Sequence, residues 1–82
     1  RKDVIQECQS DIARLLFDNN GRHIFWRFFG RLLSYADAIR VESPREIEEQ
    51  IRRDNVVIPR ILSQKSVVYL ISALKEGLND DN

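Results

Sequence analysis

The sequence predicts an all-α fold, a compact bundle of four to five short helices around a central aromatic-rich helix. Three observations lead there. Apolar residues recur at helical spacing in four separate segments. Residues that start and stop helices stand between those segments. The 82 residues include only three Gly and two Pro, too few for a turn-dense β-sandwich.

The first helix is expected from about Asp3 to Phe17. At about 100° per residue, Val4, Ile5, Cys8, Ile12, Leu15 and Leu16 fall within an arc roughly 120° wide. Glu7, Asp11 and Arg14 lie outside that arc. Asp18-Asn19-Asn20-Gly21 then reads as a stop, because these residues tolerate turn and left-handed conformations.

The second helix is expected from about Arg22 to Arg40. Four of the seven aromatic residues crowd into five positions here, Phe25, Trp26, Phe28 and Phe29. With Ile24, Leu32, Leu33, Tyr35, Ala36 and Ile39 they cover roughly 200° of the helix, where a one-sided helix needs about 100°. Gly30 interrupts the run and predicts a kink or a close backbone approach.

Ser43-Pro44-Arg45-Glu46 opens the third helix. A Ser hydroxyl can cap free N–H groups, Pro suits the first helical position, and Glu three residues on can reach back. It should run to about Asp54 with Ile47 and Ile51 as its inward stripe and charged residues elsewhere, so it lies on the outside. Asn55-Val56-Val57-Ile58-Pro59 is expected as an extended link leading to a helical turn through Leu62. Ser63 or Ser66 then caps a last helix with Val67, Leu70, Ile71, Leu74 and Leu78 on one face and Gly77 as its stop.

Residues 1–78 are expected to form a single helical domain and 79–82 a disordered acidic tail. The chain begins at Arg1 rather than Met, which leads us to expect part of a larger protein. An apolar content of 43% with 32% charge is that of a folded domain. Neither a membrane-spanning apolar run nor a charged-then-apolar leader is visible. A single cysteine, Cys8, fits a reducing compartment, so an intracellular location, cytoplasmic or nuclear, is expected.

Catalysis is not expected. His23 is the lone histidine and has no recognisable nucleophile beside it. One His and one Cys cannot make a zinc set, and Gly21 and Gly30 stand too far apart for a phosphate loop. No cofactor or metal is implied.

The charge pattern points to binding instead. Net charge is zero, yet residues 21–40 carry four Arg against one Asp. Ten of the thirteen basic residues are Arg, the cation that makes forked contacts at interfaces. An apolar arc this wide either encloses the bundle centre or leaves part of itself for a second chain. The expected partner is therefore a protein, with a homodimer the simplest case. Phe25, Trp26, Phe29 and Leu33 are the candidate anchors, and Arg22, Arg27, Arg31 and Arg40 the candidate polar determinants.

The rival is a small nucleic-acid-binding domain using these arginines and a second group, Arg52, Arg53, Arg60 and Lys65. A helix-turn-helix fits poorly, because Glu48 and Arg52 stand where small residues are wanted. Leu16-Phe17-Asp18-Asn19-Asn20-Gly21-Arg22 followed by an aromatic helix with Gly30 resembles the segment around the N-W-G-R signature of helical cell-death regulators. Lacking the signature's Trp and covering less than a quarter of the chain, that likeness assigns no family.

Overall fold

The computed structural model describes residues 2–78. Four helices form: α1 (Lys2–Leu16), α2 (Asn19–Ala38), α3 (Pro44–Arg53) and α4 (Gln64–Leu78). No strand occurs among the described residues. The tail expected at 79–82 lies outside them.

α1 and α2 are separated only by Phe17 and Asp18. Turn-tolerant residues 18–21 predict a stop and a second helix from about Arg22; α2 instead begins at Asn19. Asp18 is the reason. Its backbone is extended and its Oδ2 accepts from the Gly21 N–H at 2.7 Å, so it caps α2 and draws Gly21 inside. α2 also stops at Ala38, with Ile39 as its cap, so Arg40 lies in the link beyond. Gly30 produces no break. It sits within the continuous α2, and nothing would stand within 4 Å of a Cβ added there.

α3 begins as expected. Pro44 occupies the first turn, and Ser43 Oγ accepts from the Glu46 N–H at 3.2 Å. Glu46 reaches back as expected: the Ser43 hydroxyl donates to its carboxylate at 3.1 Å. The helix ends in a Schellman turn. Asn55 takes a φ of 53°, its N–H bonds to Arg52 O, and the Val56 N–H bonds to Ile51 O. Ser63 caps α4, its Oγ accepting from the Ser66 N–H at 3.1 Å. Gly77 does not stop α4, which continues to Leu78.

The core draws on every helix and on the link before α4. Phe25, Phe28, Leu32 and Ala36 of α2 meet Ile47 and Ile51 of α3, Leu62, and Val67 and Ile71 of α4. Cys8 of α1 is buried as well. Each large side chain sealed in this way contributes roughly 1.5–3 kcal/mol. The helix whose backbone packs against all three others is α4; α2 packs against α1 and α4, and α3 against α4 alone. Two further contacts tie helix ends together. Tyr35 of α2 donates to Asp54 at the end of α3, and Lys75 of α4 donates to the Ala36 and Ile39 carbonyls at the end of α2.

Candidate interaction face on the second helix

Packing against the other helices divides the aromatic residues of α2. Phe25 points inward and keeps only 3% of its surface. Phe29 is half-buried against the core, its ring stacked on Phe25 with centroids 5.7 Å apart. Trp26 stands edge-on to both rings, at 5.1 Å from Phe25 and 5.5 Å from Phe29. It retains 52% of its surface. The two phenylalanines thus hold the indole while leaving much of it open.

Leu33 follows seven residues later, about 10 Å along the axis and roughly 20° around the helix from Trp26. It keeps 47% of its surface. With Ser34 and Asp37 it forms one wall of an open groove of about 520 Å³, whose other wall is Ala73, Leu74 and Gly77 of α4. The anchor set therefore divides. Trp26 and Leu33 face solvent on one side of α2, Phe29 is shared, and Phe25 belongs to the core beneath them.

The arginines divide too. Arg22 is already used by the fold: its Nη1 donates to Leu16 O at 3.1 Å, closing the end of α1, and its Nη2 bonds to Asn19. Arg27 and Arg31 are exposed, about 100° and 140° around α2 from Trp26. Neither is among the residues that line the groove. Arg40 is exposed in the link. Among the described residues no carboxylate pairs with Arg27, Arg31 or Arg40.

The second basic group is largely neutralised. Arg52 meets Glu48 at 3.0 Å, Arg53 meets Glu49 at 3.9 Å, and Lys65 meets Glu7 at 3.5 Å. Among the described residues no three His, Cys, Asp or Glu side chains gather into a metal-ligand set. Among the described residues no helix is long and apolar enough to cross a membrane. His23 is exposed and Cys8 is a free, buried thiol.

Sequence reasoning passed over one exposed aromatic residue. Phe17, at the corner between α1 and α2, keeps 89% of its surface. The signal was present: at about 100° per residue Phe17 stands opposite Cys8, away from the apolar arc of α1. Comparison with known proteins adds no relative: no protein-family model, curated protein or solved structure matches this chain.

Proposed function

We propose that residues 1–78 act as a non-catalytic protein–protein interaction or self-association module of a larger, intracellular protein. The aromatic-rich α2 supplies the contact face. Partner apolar surface covers Trp26 and Leu33, Phe29 fills the seam, and Phe25 backs them from the core. Arg27, Arg31 and Arg40 read acidic groups at the periphery. One observation carries this reading: Trp26 is clamped by two rings yet half open, seven residues from a half-open Leu33. A rigid, amphipathic aromatic residue loses little freedom on binding, which is why such residues dominate interface energies.

Sedimentation of wild type and Trp26→Ala, beside thermal melts followed by circular dichroism, tests it. The variant should melt cooperatively and lose association by at least about 2 kcal/mol, some thirtyfold in affinity. Loss of folding instead of association would assign Trp26 to the core and remove the face.

Nucleic-acid binding is the second reading, favoured by the lack of carboxylate partners at Arg27, Arg31 and Arg40 among the described residues. Pairing of Arg52, Arg53 and Lys65 with acids, and a net charge of zero, weigh against it. Titration with short DNA and RNA at low salt decides: a phosphate-driven binder must bind there.

A further inference from the structure

Resting on the self-association reading, we propose that this chain associates head to tail: Phe17 of one copy seats in the groove between α2 and α4 of the next. Phe17 is the most exposed large apolar side chain among the described residues, at 89%. It is not a loose appendage. Its own N–H bonds to Ala13 O at 3.2 Å, and the following Asp18 N–H bonds to Leu15 O at 3.1 Å. The backbone that carries the ring is therefore fixed, and docking orders only the ring's own rotamers.

The groove matches this knob in chemistry and size. Leu33, Ala73 and Leu74 provide aliphatic walls, Gly77 adds no side chain, and about 520 Å³ leaves ample room for a phenyl ring. One opposite-charge pair can form across the contact. Arg14, one turn before Phe17, keeps 77% of its side-chain surface, and Asp37 lines the groove. Arg14 is held only by an exposed pair with Asp11 at 3.6 Å, a contact weak enough to exchange for the next copy's Asp37.

Knob and groove cannot meet within one copy. Phe17 precedes the first residue of α2, and Asp37 lies near the last. The intervening helix separates Asn19 from Asp37 by about 27 Å. A contact between different patches is heterologous, so it grows into a chain or closes into a ring rather than ending at two. One buried Phe removes about 150–250 Å² from water, so with its rim the contact stays well below the roughly 1,200 Å² of tight complexes. Association is accordingly weak and reversible.

Two variants with opposite defects test the proposal by sedimentation velocity from about 10 μM to about 1 mM. Phe17→Ser removes the knob and Ala73→Arg blocks the groove; both positions are exposed, and circular dichroism checks that each variant folds. Wild type should grow beyond a dimer. Each variant alone should remain a monomer. Their equimolar mixture should form a one-to-one dimer and stop, because one intact knob and one intact groove remain. A folded mixture that stays monomeric, or a wild type that does, overturns the docking. If wild type associates and Trp26→Ala weakens it while Phe17→Ser does not, the face on α2 stands and the knob falls.

Discussion

The Tyr35 hydroxyl donates a 2.7 Å hydrogen bond to Asp54 Oδ2, joining the last turn of α2 to the C-cap of α3. Nineteen residues separate the two. Burial, and then the bond to Asp54, raise the phenol above its usual pKa of 10. The same bond, with a second from Gln50 Nε2 at 3.1 Å, holds the Asp54 carboxyl below its usual 3.8.

Stability should therefore depend on pH at both ends. A depressed Asp54 adds stability that is present above its unfolded value near 3.8 and lost as pH falls through the lower folded value. A raised Tyr35 adds stability that is present below pH 10 and lost as pH rises through its folded value. Tyr35→Phe should melt below wild type at neutral pH, and the gap should close toward strong acid. A gap that is unchanged at pH 2 would show that Asp54 is not the partner.

Lys75 should matter more than a surface lysine. Its ammonium donates to Ala36 O at 2.9 Å and Ile39 O at 2.8 Å, carbonyls that the end of α2 leaves without helical partners. Its charge also suits the negative end of the helix. Lys75→Met keeps most of the stem and should cost about 1.5 kcal/mol in urea unfolding. A loss within a few tenths of zero would mean that water replaces the ammonium without penalty.

The two glycines of α2 should respond differently to alanine. At Gly30 a methyl group would meet nothing within 4 Å, so Gly30→Ala should stabilise by up to about 1 kcal/mol. At Gly21 the same group would stand 3.1 Å from Leu15 O and 3.2 Å from Leu15 Cδ2. Gly21→Ala should consequently give no such gain, and melting temperatures of the two variants compare them directly.

Asn55 carries the turn after α3 at a φ of 53°. Asn55→Ala should cost about 1 kcal/mol, and Asn55→Gly should match or exceed wild type. Equal unfolding midpoints for Ala and Gly would remove the left-handed turn as a source of stability.

Local signals were legible in the sequence. Ser43-Pro44-Arg45-Glu46 specified the start of α3 because a cap is made within four residues. Ile47 and Ile51 specified its buried stripe because one helical turn separates them. Asp18 is a residue type that caps helices, but it stands in a run of four turn-tolerant residues, Asp18 to Gly21, that together read as a stop. The wide arc of α2 could not be divided, since periodicity gives its width and not which neighbours cover it. Only packing shows Phe25 sealed and Trp26 half open. Tyr35 with Asp54, and Lys75 with the end of α2, join residues 19 to 39 positions apart, and no spacing rule reaches that far.

α3 has one backbone neighbour, α4, and inserts two side chains into the interior. It behaves as a flap fastened by two isoleucine studs and one phenol latch, over a remainder in which α4 still holds α1 and α2. Peeling it away exposes two isoleucines whose burial contributes about 3–6 kcal/mol gross, offset by the freedom the released segment regains. Amide exchange should accordingly release the α3 protons together and ahead of those in the middle of α2 and α4.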